Sequence, residues 1–249
     1  MEPLVIAHRG CSAEAPENTM AAFRLGWEAG ADGVECDVHL TADGEVVCIH
    51  DFDTLRVSGT KKVIARSSWE ELSQLEAGAW KDPKFNGEPI PRLRDLLAAS
   101  PEGSTMVIEL KCGPEIVGPL LRVLDDSGID LERVIAISFV DSTVLELKRS
   151  RPGIKAYWLS ALKWLDSGEP SPAIQEIVDT VKRLGVDGFG GQSGPGMRRE
   201  LIAALEAEGF ESNVWTVDDP AEARRMREIG LTSITTNDPR ATRAALSLA

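Results

Sequence analysis

The chain has 249 residues, 43% of them hydrophobic, and a formal net charge of -13 from 27 Lys and Arg against 40 Asp and Glu. This acidic balance excludes nucleic acids and anionic membranes as stable partners, because both are bound through basic patches. No apolar run reaches the roughly 18 residues needed to span a bilayer. We therefore expect a small-molecule partner, and local positive charge in the site if that molecule is an anion.

The start of the chain and its cysteines predict a location. The first strand is expected to begin near Leu4 and to reach its polar end at His8, which leaves no room for a removable leader. The four cysteines include no CxxC pair, and without a secretory signal they are expected to be reduced thiols. The predicted location is the cytoplasm.

Strand-like runs alternate with helical patterns along the chain. In order, the strand-like runs are LVIAH, GVECDVHL, EVVCIHD, TMVIELK, VIAISF, IKAYWLS, DGFGG, ESNVWTV and SITTN. The third run is joined to the second by the Asp-Gly turn of TADGE, which predicts a hairpin. Helical patterns follow the other runs, so the chain contains about eight strand-helix units.

This alternation predicts an α/β fold with a parallel sheet and helices outside it. About eight units in a chain of this length favour a (β/α)8 TIM barrel over a doubly wound sheet, which would need a Gly-rich phosphate loop after an early strand. Residues 52–91 break the rhythm with glycines, prolines and a short helical piece. We predict that they form a small insertion after the second strand that caps one rim of a single domain, residues 1–249.

Acidic side chains stand at the predicted ends of two strands. Glu35 and Asp37 are two residues apart, so they point to the same side of their strand, and Glu109 ends the next parallel strand. Three ionised carboxylates inside a barrel would repel one another, and a divalent cation would relieve that repulsion. Oxygen ligands without a thiolate suit Mg²⁺ or Ca²⁺, with Mn²⁺ as a further option. A solvated strand end is the alternative for the Glu-x-Asp pair alone.

Histidines and cations are predicted at the same rim. His8 and His50 both follow strand-like runs, and imidazole titrates near neutrality, which makes an acid-base pair plausible. Arg9 and Lys111 would supply the positive charge that the acidic surface lacks, and arginine holds phosphate oxygens in bidentate fashion. Each histidine alone could be structural. Together with a metal, the set favours cleavage of a phosphate ester.

A series of motifs resembles the glycerophosphodiester phosphodiesterase family, in the form of its short cytosolic bacterial members. The matching segments run in the family's order over nearly the whole chain. They are HRG (8–10), APENT (15–19), DGVECDVHLTADGEVVCIHD (32–51), GEPIPRLRDLL (87–97), IELK (108–111), SF (138–139), VWTVDD (214–219) and TTNDP (235–239).

The resemblance implies a TIM barrel with a small insertion after the second strand. It implies that the three carboxylates bind one divalent metal, that the two histidines are the catalytic acid-base pair, and that the two cations bind the phosphate. It adds Phe139 and Trp215 at the glycerol end of the substrate and Glu17 and Asn18 as residues that orient the site. The implied reaction is metal-dependent hydrolysis of a glycerophosphodiester to sn-glycerol 3-phosphate and an alcohol.

Two other functions fit the same residues. A phospholipase-D-like barrel acting on lysophospholipids or sphingolipids would need an apolar surface, whereas segments such as KDPKFNGEP and GGQSGPGMRRE are polar. A barrel that binds phosphodiesters without turnover would be expected to have lost a histidine or a metal ligand, and this chain retains all five.

Overall fold

The computed structural model of the chain describes residues 2–165 and 170–247. The strands are β1 (Leu4–His8), β2 (Gly33–Leu40), β3 (Val46–Cys48), β4 (Thr105–Leu110), β5 (Val134–Ser138), β6 (Lys155–Ser160), β7 (Lys163–Trp164), β8 (Pro170–Ser171), β9 (Gly188–Gln192), β10 (Glu211–Trp215) and β11 (Ser233–Thr236). The α-helices are α1 (Met20–Glu28), α2 (Leu55–Ser58), α3 (Trp69–Leu72), α4 (Leu93–Ala99), α5 (Val117–Ser127), α6 (Asp141–Ser150), α7 (Ile174–Leu184), α8 (Arg199–Ala207), α9 (Pro220–Ile229) and α10 (Pro239–Ser247).

Within the described residues, eight parallel strands close into a barrel. Their order is β1, β2, β4, β5, β6, β9, β10 and β11, and β11 pairs back onto β1. Strand β3 pairs antiparallel with β2 outside the ring, and β7 and β8 form a separate two-stranded pair. The closed ring with helices between successive strands confirms the predicted (β/α)8 barrel.

The barrel has apolar layers inside and outside its wall. The inner layer includes Ile6, Val107 and Tyr157, which fill the lumen below the C-terminal rim. The outer layer packs the strands against the helices, and it takes alternate residues of β2, including Cys36. Each large apolar side chain fully buried in this way contributes about 1.5–3 kcal/mol. Because side chains alternate along a strand, Glu35 faces inward while Cys36 packs outward.

The segment between β3 and α4 carries a small core of its own. Val57, Ile64, Leu72 and Ile90 are buried together in it. Helix α3 begins with a capping box between Ser68 and Glu71, which explains why so short a helix is stable here.

This segment packs against the loop that follows β1. The Arg56 side chain bonds to Glu17, and the Lys81 Nζ atom donates to the Ser12 carbonyl at 2.8 Å. The segment therefore lies beside the C-terminal end of β1. None of the helices in the described residues combines the length and apolarity that a membrane crossing requires.

Candidate active site

A cavity of about 230 Å³ opens at the C-terminal ends of the barrel strands. It is lined by His8, Arg9, Glu35, His50, Glu109, Lys111, Ile137, Phe139, Leu159, Asn213, Trp215, Thr216 and Thr235. This lining includes most of the residues singled out from the sequence. Three predicted site residues are not part of the lining, but all of them contact Arg9. They are Glu17, Asn18 and Asp37.

The turn after β1 aims Arg9 into the cavity. Arg9 has a φ of 55° and Gly10 a φ of 79°, so the chain turns through the left-handed region immediately after His8. For a residue with a side chain this conformation costs about 1–2 kcal/mol, and such strain is concentrated at functional sites. The turn directs the Arg9 N–H to Glu35 Oε2 at 2.9 Å. A Cβ on Gly10 would lie 2.3 Å from the backbone of Ala22, so the turn also requires glycine.

Strand register brings the three predicted carboxylates together. His8 lies level with Glu35, and Asp37 lies level with Glu109. Carboxylate oxygens of Glu35, Asp37 and Glu109 lie within 4.8 Å of one another. Burial, and then the charges of Asp37 and Glu109, raise the pKa of Glu35 well above its ordinary value. Burial, and then Asp37, also raise the pKa of Glu109.

This cluster fits a divalent cation. Glu35 is 2% exposed and Asp37 0%, yet Glu35 Oε1 and Asp37 Oδ1 have no hydrogen-bond partner among the described residues. Buried polar atoms are normally paired, so the unpartnered Glu35 Oε1 is consistent with coordination of a cation. Asp37 Oδ1 faces the same cluster, where it forms an ion pair with the Lys111 ammonium at 3.4 Å. An all-oxygen donor set suits a hard cation such as Mg²⁺ or Ca²⁺.

Asp37 is held by the loop that follows Gly10. Asn18 Nδ2 donates to Asp37 Oδ2 at 2.8 Å, and the Asp37 N–H donates to Asn18 Oδ1 at 3.1 Å. Burial opposes ionisation of Asp37, but Arg9 and Lys111 outweigh it and hold the pKa of this carboxyl below its usual value. Asp37 is therefore the carboxylate of the cluster that stays ionised most readily.

The two cations border the carboxylate cluster. Lys111 Nζ lies 2.7 Å from Glu109 Oε1 and 3.4 Å from Asp37 Oδ1. Arg9 Nε lies 3.1 Å from Asp37 Oδ2, and its Nη1 donates to Glu17 at 2.9 Å. Burial opposes the charge on both cations, but the neighbouring carboxylates outweigh it and raise the pKa of each. Both side chains are thus positively charged at the edge of the cavity, as an anionic ligand would require.

The two histidines have different partners. His8 Nδ1 lies 2.7 Å from Asn237 Oδ1, and Asn237 donates its amide to Asp218. That contact fixes the amide oxygen toward His8, so we assign the ring proton to Nδ1. Burial, and then the charge of Arg9, lower the pKa of His8. His50 Nδ1 instead lies 2.8 Å from Asp51 Oδ1, so its partner is a carboxylate and not an amide.

Two aromatic rings form one wall of the cavity. Phe139 follows β5 and Trp215 ends β10, and the rings meet edge to face with centroids 5.4 Å apart. Phe139 is 43% exposed, so the wall remains open to solvent on one side. The Trp215 Nε1 atom has no hydrogen-bond partner in the described part of the chain, and it can donate to a bound molecule.

Sequence reasoning assigned no partner to the site residues at three positions, although it placed Asp51 and Asn237 at strand ends on the same rim. Asp51 directly follows His50 in IHD, so its adjacency was a usable signal. Asn237 stands in TTND after β11, but its contact with His8 spans 229 positions. Arg56 contacts Glu17 across 39 positions, and nothing local in DTLRVSG indicates that contact.

Comparisons with known proteins agree with this geometry. Residues 8–241 match the model of the glycerophosphoryl diester phosphodiesterase family. A glycerophosphodiester phosphodiesterase from Caldanaerobacter subterraneus is 33% identical, over 96% of both chains. One from Bacillus altitudinis is 28% identical, over 94% of both chains.

Solved structures show the same architecture. A phosphodiesterase from Oleispira antarctica, in complex with the product sn-glycerol-3-phosphate, superposes with a TM-score of 0.87 at 25% identity and covers 99% of this chain and 97% of its own. A glycerophosphodiester phosphodiesterase from Thermotoga maritima has a TM-score of 0.78 at 25% identity, over 98% of both chains. The chain therefore belongs to the glycerophosphoryl diester phosphodiesterase family of enzymes.

Proposed function

We propose that the chain hydrolyses glycerophosphodiesters to sn-glycerol 3-phosphate and an alcohol, with a divalent metal ion. The observation that carries the proposal is the cluster of Glu35, Asp37 and Glu109 beside a cavity that two histidines and two cations line. The family match and the product complex of the Oleispira relative support the substrate class.

The three carboxylates would hold the metal, with Mg²⁺ or Ca²⁺ preferred and Mn²⁺ possible. When bound, the ion would act as a Lewis acid toward a phosphate oxygen. Arg9 and Lys111 would bind the other phosphate oxygens, because their charges border the same cluster. Glu17 orients the Arg9 guanidinium and Asn18 orients Asp37.

The histidine environments support His8 as the base and His50 as the acid. His8 has a lowered pKa and a neutral amide partner, so it is unprotonated at neutral pH and its Nε2 can accept a proton from the attacking hydroxyl or water. His50 has the Asp51 carboxylate at Nδ1, so its Nε2 can deliver a proton to the leaving alcohol oxygen as the P–O bond breaks.

Three further proposals concern the glycerol end of the substrate, the domain organisation and the location of the protein. The edge-to-face rings of Phe139 and Trp215 would bind the glycerol end of the substrate. Residues 1–249 would act as one domain, with residues 52–91 as the rim cap. A cytoplasmic location is supported by the four cysteines, which are all free thiols.

A second candidate substrate is a lysophospholipid or a sphingolipid. Six large apolar side chains stand exposed in the rim segment or after barrel strands, at the face that carries the cavity. They are Phe52, Leu55, Trp80, Phe139, Val140 and Leu165. An acyl chain could contact such a surface, although the polar loops predicted from the sequence share the same face.

The test is release of glycerol 3-phosphate, coupled to its dehydrogenase. Glycerophosphocholine and glycerophosphoethanolamine would be compared with lysophosphatidylcholine, each with Mg²⁺, Ca²⁺, Mn²⁺ or EDTA. Release from the glycerophosphodiesters that EDTA stops and one metal restores is the expected result. Choline release from lysophosphatidylcholine alone would favour the second candidate. No product from any substrate would refute both.

A further inference from the structure

Arg56 on α2 connects two acidic residues that serve different parts of the site. Its Nη1 and Nη2 atoms donate to the Glu17 carboxylate at 3.0 and 2.8 Å, and its Nε donates to Asp51 Oδ2 at 2.7 Å. A fork with three well-placed donors is a geometry that only arginine provides. The same guanidinium lies 5.9 Å from the centre of the Trp80 ring, which limits its movement.

Each of these carboxylates also holds a residue of the cavity. Glu17 Oε1 accepts from Arg9 Nη1 at 2.9 Å, and Asp51 Oδ1 lies 2.8 Å from His50 Nδ1. A continuous chain of contacts therefore runs from Arg9 to His50 with Arg56 at its centre. Burial opposes ionisation of Asp51, but Arg56 and His50 outweigh it and lower its pKa to about 2, so Asp51 accepts from both partners as an anion.

We propose that Arg56 is a positioning residue that couples the phosphate-binding Arg9 to the proton donor His50. This proposal rests on the function proposed above. Arg56 is not among the residues that line the cavity, so we assign it a positioning role and not a catalytic one. It fixes Asp51 so that the Nδ1–H of His50 faces this carboxylate and the Nε2–H, the proton to be transferred, faces the leaving oxygen. It also fixes Glu17 so that Arg9 faces the phosphate.

The exposure of Arg56 separates this role from a structural one. Its side chain is 42% exposed, and exposed ion pairs contribute little to folding. The local segment is held instead by the small core that contains Val57 and Ile64. Removal of Arg56 should therefore lower activity much more than stability.

The first experiment compares Arg56→Ala and Arg56→Lys with Arg66→Ala, an exposed arginine of the same segment. We expect Arg56→Ala to lower kcat/KM by roughly 10- to 100-fold, the usual scale for loss of a residue that orients a ligating or catalytic group. Added guanidinium should restore part of that loss. Arg56→Lys should also be impaired, because an ammonium cannot bridge both carboxylates. Arg66→Ala should match the wild type, and full activity of Arg56→Ala would overturn the proposal.

The second experiment measures the coupling directly. The described residues show no hydrogen bond between Glu17 and Asp51, and Arg56 is the partner that they share, so we expect their coupling to pass mainly through Arg56. In the wild-type background, the fold-loss of kcat/KM in the Glu17→Gln, Asp51→Asn double variant should differ by at least about 3-fold from the product of the two single losses. In the Arg56→Ala background, the double loss should equal the product of the single losses. Simple multiplication in both backgrounds would contradict the proposal.

A third readout does not depend on activity. With ¹⁵N-labelled histidine, the wild type should show the ring of His50 protonated at Nδ1, and Arg56→Ala should shift the His50 signals more than those of His8. A His50→Gln variant identifies the signals. If the wild type hydrolyses no phosphodiester, the proposed function fails, and the His50 signals still decide whether Arg56 positions this ring. Unchanged His50 signals in Arg56→Ala would refute the positioning role.

Discussion

Replacing Glu35 by Gln should have opposite effects on the metal-free and the metal-bound protein. The substitution keeps the shape of the side chain and an oxygen that can accept from the Arg9 N–H, but it removes one of three charges within 4.8 Å. At that separation and an effective dielectric constant of about 20, each repulsion is worth about 3 kcal/mol. One attraction of similar size to Arg9 opposes the two repulsions, which leaves a net gain of about 3 kcal/mol on neutralisation.

Metal binding should change the relative stabilities in the opposite direction, because it stabilises the wild type. A metal at about 100 times its dissociation constant stabilises the wild type by about 2.7 kcal/mol. In a chain of this length each kcal/mol shifts Tm by about 2–4 °C, so the metal should raise Tm by about 5–11 °C. Glu35→Gln should lose most of that shift, because it removes an anionic ligand, and it should unfold at a higher temperature than the wild type in EDTA.

The pH dependence has a definite sign. The pKa of Glu35 is raised in the folded state. The contribution of this residue to folding stability is therefore fully present below the ordinary glutamate pKa, about 4.3, and is lost as pH rises through the raised pKa. In EDTA the Tm of Glu35→Gln should therefore exceed that of the wild type by more at pH 8 than at pH 5.

Thermal unfolding at several pH values, with EDTA or with each metal, measures both effects. Glu132→Gln, which removes an exposed glutamate far from the cluster in sequence, is the control and should leave the metal shift unchanged. A metal-induced shift in Glu35→Gln as large as that of the wild type would refute the ligand assignment. An unchanged Tm in EDTA at pH 8 would refute the electrostatic argument.

Three further predictions address the turn, a thiol and the histidines. Gly10→Ala should destabilise the protein by clearly more than Gly30→Ala. Both glycines have a positive φ, but only a Cβ added at Gly10 would meet neighbouring backbone. Equal denaturant midpoints of the two variants would contradict this. Cys11 is buried, and burial together with Glu14 raises its pKa to about 11, so iodoacetamide should label it only after unfolding; rapid labelling of the native protein, seen by mass spectrometry, would be the contrary result. His8→Ala and His50→Ala should each lower turnover by roughly 10²- to 10⁴-fold and keep the metal-induced Tm shift, and near-wild-type turnover in either variant would remove that residue from catalysis.

Much of the site could be predicted because its residues obey local rules. Side chains alternate along a strand, so the spacing of Glu35 and Asp37 placed both inside the barrel and Cys36 outside. Parallel strands present their C-terminal ends on one face, so His8 and Glu109 were expected to share a rim. Hydrophobic periodicity and polar residues at strand ends can be recognised from neighbouring residues, and both predict the barrel and its polar C-terminal rim.

Only the tertiary structure decided how these groups are held. The Asn237 amide at His8 and the Arg56 guanidinium at Glu17 come from the opposite end of the chain and from the rim segment. No pattern in sequence encodes such pairs, because the distance between two side chains depends on how the barrel closes and on how residues 52–91 pack. The sequence by itself therefore determined which polar groups stand at the mouth of the barrel, and the closure of the barrel decided their partners, orientation and charge.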